Sequence, residues 1–357
     1  MIDKMARILK YTEAIKEAID LCMERDPLVY VIGEGVPDPK GIFGTTSGLA
    51  EKYGDNRVMD MPVSENGMTG VAIGSAIVGM RPIMTHQRMD FVLMAMDQIV
   101  NSAAKWQYMF NDQIKIPLVI RLVIGRGWGQ GPQHSQSLQA LFAHIPGLKV
   151  VMPTTAYDAK GLLISSIEDD SPVIFIEHRW LHNIIGDVPE EYYKVPLGEA
   201  GCLREGDDIT IVTTSHMGIE ALAAADILSK VGINAEIIDL RSIRPLDIDT
   251  IVESVTKTGR IIVADTGWKT CGVGSEVIAS IVEEAWDVLK ASPRRLSLKD
   301  YPTPTSPALT EDYYPLAVDI AASACKMLGI SDDILKEFKK TETIPLDVPY
   351  KSFVGPF

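Results

Sequence analysis

The amino-acid sequence predicts an α/β protein with mainly parallel sheets that are covered by helices on both faces. Short apolar runs alternate with helical patterns along most of the chain, and strand, helix, strand repetition is typical of parallel sheets. The length of 357 residues exceeds that of one ordinary hydrophobic core. A stretch rich in glycine and proline near residue 190 interrupts the alternation and indicates a linker. We therefore expect two α/β domains.

In the first domain, apolar periodicity places the elements. A helix is predicted over residues 12 to 25, where one stripe consists of Ala14, Ile15, Ala18, Ile19 and Cys22. The next segment, Leu28 to Ile32, is predicted to be a buried strand. Further strands are expected near residues 82 to 84, 118 to 122, 150 to 152 and 173 to 176. Helical patterns lie between them at 93 to 109, 135 to 144 and 156 to 168.

The same alternation resumes after the predicted linker as a second, smaller α/β unit. Strands are expected near residues 209 to 213, 235 to 239 and 260 to 264, and helices near 217 to 230, 247 to 257, 274 to 289 and 314 to 328. The proline-rich segment 301 to 307 is predicted to be an extended crossing, because proline has no amide donor. The predicted boundaries are 1 to 185 for the first domain, 186 to 207 for the linker, 208 to 330 for the second domain and 331 to 357 for an extension without assigned role.

Composition excludes several classes of function. The chain has 34 basic and 48 acidic side chains and a net charge of −14, which disfavours nucleic acid as a partner because phosphate binding needs a basic surface. No apolar run is long enough to span a bilayer, and residues 1 to 4 do not begin a secretory signal. We therefore expect a cytoplasmic protein. Its four cysteines form no C-x-x-C pair and are expected to be reduced and mostly buried.

Two glycine motifs have structural explanations. Gly70 and Gly74 lie four residues apart on a predicted helix, a spacing that favours close approach of another backbone within the chain or across a subunit interface. Gly272-x-Gly274 follows a predicted strand, but a complete G-x-G-x-x-G is absent. A nucleotide-binding interpretation of this second motif is therefore weak.

Two side chains are candidates for chemistry. His134 lies at the end of the glycine-rich loop 125 to 137, between a strand and a helix, where open α/β sheets bind ligands. It is either a proton shuttle or donor, or a cap of the following helix. Glu65 opens the glycine-rich helix that follows the Pro62 to Gly67 turn. From spacing alone, a carboxylate that complements the helix dipole and a buried acid that holds a cofactor ring nitrogen are equally compatible.

Six motifs occur in order between about residues 5 and 330: Gly33-Glu34-Gly35, Gly41-Ile42-Phe43-Gly44-Thr45-Thr46, Pro62-Val63-Ser64-Glu65-Asn66-Gly67, Asp97-Gln98-Ile99, Gln133-His134-Ser135-Gln136 and Pro146-Gly147-Leu148-Lys149-Val150-Val151. Together they resemble the β subunits of thiamine-diphosphate-dependent 2-oxo acid dehydrogenase E1 components, of the pyruvate, branched-chain 2-oxo acid and acetoin type. The resemblance implies a pyrimidine-binding domain followed by a transketolase C-terminal-like domain. It also implies oxidative decarboxylation of a 2-oxo acid, with reductive acyl transfer to lipoamide on an E2 acyltransferase.

The cofactor is implied to be shared with a second polypeptide. In this family the other subunit carries a G-D-G motif and a following Asn that hold Mg²⁺ and the diphosphate, and no G-D-G occurs here. The resemblance therefore implies an α2β2 heterotetramer with thiamine diphosphate and Mg²⁺ anchored largely by the α subunit. We assign no metal ligand to this chain. The family often holds a potassium ion after the helix ending near Ser166, but Ser171 replaces an Asn found there in some members.

The family motifs assign roles to individual residues. Glu65 matches the acid that hydrogen-bonds the pyrimidine N1′, in a desolvated pocket, and Glu34 matches a second acid near that ring. Gln87 and Phe91 match positions that line the pyrimidine. His134 matches the histidine that meets the lipoyl group and helps to transfer the acyl unit.

The sequence departs from the family pattern at His86, Arg88 and Asp90, which insert ionisable groups into a usually aromatic-rich stretch, and at Arg126, Trp128 and His216. Two hypotheses stay open: the substrate is more polar or anionic than pyruvate or the acceptor is not lipoamide, or Arg88 and His86 pair with the α subunit. A two-subunit transketolase-like enzyme that transfers a ketol unit between sugars is the alternative function. A catalytically silent β chain is disfavoured because Glu65 and His134 are both present.

Overall fold

The structure is a computed structural model that describes residues 7–126, 130–310 and 312–331. The predicted features at Trp128 and at residues 332 to 357 lie outside these ranges. Internal packing divides the chain into two compact units. Among the described residues, the first unit extends to Gly125 and resumes from Leu141 to Leu197, and the second contains Arg126 to Ala140 and the chain from Gly198 onward.

The elements of the first half of the chain alternate between strands and helices, in the following order: β1 (Ile8–Lys10), α1 (Tyr11–Arg25), β2 (Val29–Ile32), α2 (Leu49–Tyr53), β3 (Val58–Met59), α3 (Glu65–Ile77), β4 (Arg81–His86), α4 (Met89–Val92), α5 (Ala104–Met109), β5 (Val119–Ile124), α6 (Gln139–Ala143), β6 (Lys149–Val151), α7 (Ala156–Glu168), β7 (Val173–His178) and β8 (Ile185–Asp187).

Six strands of the first unit form a parallel sheet in the order β3, β2, β4, β5, β7, β6. Every residue of β2, β5 and β7 is buried, as expected for strands of a parallel sheet that is covered on both faces. The helices α1 and α7 pack against each other, and Thr155 caps α7 by accepting from the Asp158 N–H at 3.0 Å. The predicted fold class is therefore confirmed.

The second half of the chain contains the remaining elements: β9 (Gly201–Arg204), β10 (Ile209–Thr213), α8 (Met217–Ser229), β11 (Ala235–Asp239), β12 (Ser242–Arg244), α9 (Ile248–Thr258), β13 (Ile261–Trp268), α10 (Val273–Ala285), β14 (Arg294–Leu298), α11 (Pro307–Thr310) and α12 (Ala317–Leu328).

Five of these strands form the sheet of the second unit, in the order β14, β13, β10, β11, β9. Only β9 is antiparallel to its neighbour. Its core joins buried residues of α8 and α12 to β10 and β11, including Ile211, Ala221 and Ile320. The strand β9 lies within the segment that the sequence indicates as linker. Gly206, one of the linker signals, approaches the backbone of Ala235 so closely that a Cβ atom would lie 2.3 Å from its carbonyl carbon.

One predicted helix is wrong in its continuity. The segment predicted as a helix over 93 to 109 is a 3₁₀ turn at Leu93–Ala95, a π-helical stretch at Gln98–Ala103 and then α5. The change in helix type occurs where the segment packs on α3, and a Cβ atom at Gly70 would lie 3.4 Å from the Gln98 side chain. In the described part of the chain, no helix has the length and apolar character needed to cross a membrane.

Candidate functional site

Glu65 is the first residue of α3, and its side chain is only 5% exposed. Its Oε2 atom is buried and has no hydrogen-bond partner among the residues that the structure describes. A buried carboxyl oxygen without a partner is costly, so this atom is suited to receive a donor from outside the chain. Ser64, at the helix N-cap, provides no side-chain cap. Glu65 thus lies in the first turn of α3, where the helix dipole favours negative charge, and both interpretations of its carboxyl group stay open.

Two more acids converge on the same place. Glu34 follows β2, and burial raises the pKa of its carboxyl group, with the negative charges of Glu65 and Asp60 adding to the effect. Asp60 follows β3 and accepts hydrogen bonds from the Gly35 and Met61 N–H groups, both at 2.9 Å. The carboxyl ends of two neighbouring strands thus present three carboxyl groups that interact electrostatically. A raised pKa favours a protonated form that can donate a hydrogen bond.

The other two residues predicted to contact the cofactor follow the next strand of the sheet, β4. Gln87 is exposed, and its Nε2 atom donates to the Glu34 carbonyl oxygen at 3.1 Å. Phe91 is partly buried in α4. Because β3, β2 and β4 are adjacent, the sheet brings Glu65, Glu34 and Gln87 to one edge. Their roles toward a cofactor remain predictions.

The unusual residues His86 and Arg88 are both buried, at 3% exposure. Arg88 Nη1 donates to the Gly125 carbonyl oxygen at 2.6 Å, and its guanidinium lies 5.6 Å from the centre of the Phe43 ring. Burial lowers the pKa of His86 to about 4, so this histidine is neutral at pH 7. Its Nε2 atom has no hydrogen-bond partner in the described parts of the chain. The structure therefore gives Arg88 a role within the chain.

A buried ion pair lies on the neighbouring strands β5 and β7, and β5 is adjacent to β4. Arg121 in β5 and Glu177 in β7 are both 0% exposed, and Arg121 Nη2 lies 2.6 Å from Glu177 Oε1. Arg121 also donates to Thr45 Oγ1 at 3.0 Å. Glu177 Oε2 lies 3.5 Å from His182 Nε2. Burial lowers the pKa of His182, while the Glu177 carboxylate opposes that shift.

His134 is exposed and lies in a turn, where its N–H donates to the Gly131 carbonyl oxygen at 3.2 Å. It precedes α6 by several residues, and it belongs to the second unit. Glu65, Glu34, Gln87 and Phe91 belong to the first unit. The structure thus groups three of the predicted site residues on one sheet edge and assigns His134 to a different unit.

Sequence reasoning missed Asp60 and the pair Arg121–Glu177. The pair had a visible signal, because a charged residue inside an apolar strand is unusual in a covered parallel sheet. Asp60 had a weaker signal, as the last residue but one before the Pro62 to Gly67 turn. Nothing in a single sequence shows that a carboxylate will accept two backbone N–H groups from different segments.

One group of described residues has metal-ligand spacing. The side-chain ligand atoms of Cys202, Glu205 and Glu236 all lie within 4.8 Å of one another. Lys257 already pairs with both carboxylates, with Nζ 3.4 Å from Glu205 Oε2 and closer still to Glu236 Oε1. The Lys257 ammonium therefore offsets part of the negative charge of the two carboxylates, and we assign no metal to this group.

Comparisons with known proteins agree with the fold. Residues 8–183 match the transketolase pyrimidine-binding domain, and residues 198–320 match the transketolase C-terminal domain. A solved split-gene transketolase, described as an inactive β4 tetramer, superposes with a TM-score of 0.73 at 26% identity, covering 90% of this chain and 99% of that one.

Curated relatives are more similar in sequence. The chain is 46% identical to the β subunit of acetoin:2,6-dichlorophenolindophenol oxidoreductase of Cupriavidus necator, over 91% of this chain and 98% of the relative. It is 44% identical to the pyruvate dehydrogenase E1 β subunit of Rickettsia bellii, over 89% and 98%. It is 42% identical to the 2-oxoisovalerate dehydrogenase β subunit of Bacillus subtilis, over 90% and 99%.

These relatives favour the dehydrogenase interpretation over the two-subunit transketolase alternative, because the similarity to the transketolase is lower and is matched mainly in fold. The predicted resemblance is therefore confirmed. The chain belongs to the family of E1 β subunits of 2-oxo acid and acetoin dehydrogenases.

Proposed function

We propose that this chain holds the pyrimidine half of thiamine diphosphate and, together with an α subunit, catalyses oxidative decarboxylation of a 2-oxo acid with reductive acyl transfer to lipoamide on E2. The observation that carries the proposal is Glu65 Oε2, a buried carboxyl oxygen at the start of α3 that has no partner within the described ranges. The relatives named as E1 β subunits support the reaction class.

The residues present fit the cofactor. An aminopyrimidine ring offers a nitrogen that pairs with a carboxyl group, and Glu65 Oε2 is the buried polar atom that such a pairing would satisfy. When bound, thiamine diphosphate supplies the nucleophilic carbon and the electron sink for decarboxylation. The chain would contribute orientation of the ring, exclusion of water and a proton position at Glu65.

The neighbouring groups would tune that proton. Glu34 and Asp60 lie near Glu65, and burial together with the charges of Glu65 and Asp60 raises the pKa of Glu34. Sharing a proton between Glu65 and a ring nitrogen then avoids adding another free charge to a buried place. In this proposal Gln87 and Phe91 contact the ring, and His134 acts on the acyl group at the lipoyl partner.

An α subunit would complete the site. The chain lacks the G-D-G motif, so the proposal assigns Mg²⁺ and the diphosphate mainly to the α chain of an α2β2 heterotetramer. The solved relative described as a β4 tetramer is also described as inactive, which supports a need for a partner chain.

The face of α3 opposite the sheet offers a surface for that partner. Gly67, Val71, Gly74 and Val78 at its C-cap follow the spacing of one helical face, and all four are exposed. A Cβ atom at Gly74 would meet nothing within 4 Å, so packing against the described part of the chain does not explain a glycine there. A glycine inside a helix costs about 1 kcal/mol relative to alanine. Close approach of a partner backbone would offset that cost.

Acetoin is a second candidate substrate in place of a 2-oxo acid. The observation that favours it is the 46% identity to the β subunit of an acetoin oxidoreductase. Turnover of purified α and β chains with acetoin and with several 2-oxo acids, measured by dye reduction, distinguishes the two. We also propose a cytoplasmic location, because none of the four cysteines forms a disulfide, as is usual in a reducing compartment.

The decisive test is the variant Glu65→Gln in the reconstituted complex. It keeps the size of the side chain and removes the acid, so we expect dye-linked turnover and hydrogen exchange at the thiazolium C2 position to fall by roughly 10²-fold or more. The matched control is Glu51→Gln, an exposed acid in the first turn of α2, which should leave both rates unchanged. Retention of most activity by Glu65→Gln, with cofactor still bound, would overturn the proposal.

A further inference from the structure

Residues 130 to 139, called here the His134 segment, are held at both ends by contacts within the second unit. Before the beginning of this segment, the Arg126 side chain is 0% exposed. Its Nε atom donates to the Gln130 carbonyl oxygen at 3.0 Å, and Nη1 donates to Thr310 Oγ1 at 3.2 Å. Nη2 donates to the Thr305 carbonyl oxygen. One buried guanidinium thus joins the segment to the proline-rich crossing of the second unit.

The same crossing touches the segment again at Gly131. A Cβ atom at this glycine would lie 2.1 Å from Thr305 Oγ1, which is far below the distance that two such atoms tolerate. Gly131 is buried although it lies in a loop. The glycine is therefore required by close contact with Thr305, and this contact immediately precedes the turn that contains His134.

At its other end the segment is held by Gln139, the first residue of α6. Gln139 is 0% exposed, and its Nε2 atom donates to Asp265 Oδ1 at 2.8 Å and to Thr266 Oγ1 at 3.3 Å. Thr214 Oγ1 donates to the same Asp265 oxygen at 3.0 Å. Burial raises the pKa of Asp265. A Cβ atom at Gly267 would lie 2.8 Å from the Gln139 amide, so the amide fits tightly.

The position of Asp265 in the sheet explains why a side chain from elsewhere reaches it. Asp265 lies where the parallel pairing of β13 with β10 ends. The chain leaves β10 through α8 toward β11 on one side, and leaves β13 through α10 toward β14 on the other. Connections that diverge in this way open a crevice at the carboxyl ends of the two strands, where α/β proteins bind ligands. Here Gln139 from the His134 segment occupies it.

We propose that Arg126 and Asp265 are positioning residues that hold the His134 segment in one conformation for acyl transfer. Arg126 acts through its contacts with the Thr305–Thr310 crossing, and Asp265 acts through Gln139. The proposal rests on the role proposed for His134. In this proposal the second unit holds His134 in position for the lipoyl group that accepts the acyl unit. Because the segment is ordered before the lipoyl group arrives, the conformational entropy lost on ordering it does not oppose acyl transfer.

The experiment compares variants of the reconstituted α2β2 complex. Asp265→Ala and Arg126→Met remove one anchor each, and Asp265→Asn keeps an acceptor for the Gln139 amide. Asp247→Ala is the matched control: Asp247 caps α9 by accepting from the Thr250 N–H at 3.1 Å, so this variant should destabilise the chain through loss of a helix cap without touching the segment. His134→Ala provides the reference for loss of lipoyl transfer.

Two readouts are needed. Hydrogen exchange, followed by mass spectrometry, reports the protection of amides 130 to 138, and it does not depend on the chemical role of His134. The ratio of lipoyl-domain acylation to dye-linked turnover reports transfer of the acyl group relative to decarboxylation. We expect both anchor variants to raise exchange in the segment at least 10-fold and to lower the ratio at least 10-fold. Asp265→Asn should restore both readouts most of the way, and Asp247→Ala should change neither.

The outcomes separate this proposal from the proposed function. Unchanged segment exchange in both anchor variants would overturn the positioning proposal, whatever the activity. Raised exchange with an unchanged ratio, while His134→Ala loses lipoyl transfer, would also overturn it, because the anchors would then be irrelevant to His134. If His134→Ala itself keeps full lipoyl transfer, the role proposed for His134 fails, and the positioning role for acyl transfer fails with it.

Discussion

Arg121 and Glu177 form an ion pair in which neither side chain is exposed, with 2.6 Å between Nη2 and Oε1. The pair connects the adjacent strands β5 and β7, and β5 also pairs with β4, the strand that precedes Gln87. Each member of the pair has a further neighbour: Thr45 Oγ1 accepts a hydrogen bond from Arg121, and His182 lies beside Glu177. Because Thr45 belongs to the loop that also contains Phe43, the pair ties that loop to the sheet.

Removing one partner of this pair should be far more damaging than removing both. Glu177→Leu leaves a buried, uncompensated guanidinium and should lower the free energy of unfolding by about 3–5 kcal/mol. The double variant Arg121→Met, Glu177→Leu should recover most of that loss. Denaturant unfolding of the three proteins gives the comparison. Equal losses in the single and double variants would contradict the prediction.

Arg88 is expected to matter for stability and not for the choice of substrate. Arg88→Met leaves the buried Gly125 carbonyl oxygen without its donor, which should cost about 1–3 kcal/mol. The ratio of kcat/KM between pyruvate and a dicarboxylic 2-oxo acid should not change. Arg204→Met, which removes an ion pair with the exposed Asp226, serves as the control with little effect on either quantity. A shift in selectivity toward pyruvate in Arg88→Met would restore the anionic-substrate hypothesis.

Acid should destabilise the folded chain partly through His86. Burial lowers its pKa to about 4 from the ordinary histidine value of 6.5, so the unfolded chain takes up a proton at a pH where the folded chain does not. This contribution is fully present above pH 6.5 and is lost as the pH falls from there to about 4. The change amounts to about 3 kcal/mol.

The measurement compares chemical unfolding of the wild type and His86→Phe at several pH values in this window. The stability of the variant should fall less steeply with acidification than that of the wild type. His144→Gln removes an exposed histidine and should keep the wild-type slope. Parallel curves for the wild type and His86→Phe would show that His86 is not buried in its neutral form.

The glycine at position 74 should have opposite effects on the isolated chain and on the complex. Gly74→Leu replaces an exposed helical glycine that has open space around it, so it should stabilise the isolated chain by up to about 1 kcal/mol. It should weaken association with the α chain at least 10-fold, because the side chain separates the two backbones. Thermal unfolding and titration calorimetry provide the two quantities.

Ala223→Leu in α8 is the matched control, since Ala223 is also an exposed helical residue. It should affect neither the stability of the isolated chain nor the affinity by much. If Gly74→Leu binds the α chain as tightly as the wild type, the face of α3 is not the contact surface, whereas the dependence on an α chain would still stand.

The local sequence pattern was sufficient to predict the bounds of elements whose apolar residues recur with the period of the buried face. The helix predicted over 156 to 168 is α7 (Ala156–Glu168), and the strand predicted over 235 to 239 is β11 (Ala235–Asp239). In both, the apolar period matches the buried face, so short-range sequence and tertiary burial agree. The stretch 93 to 109 also shows an apolar helical pattern, but it is π-helical over Gln98–Ala103, where it packs against α3. Such a change depends on a neighbour that is remote in sequence.

By itself, the sequence determined the fold class, the family motifs and the candidate acid Glu65, because these follow from periodicity and from residues close together along the chain. Only the tertiary structure decided that Asp60 and Glu34 share an edge with Glu65, that Arg88 is bound to Gly125, and that the His134 segment belongs to the second unit. The physical reason is that burial and hydrogen bonding are set by contacts between distant segments. A sequence pattern shows which side chains are available for such contacts, and only the folded chain selects their partners.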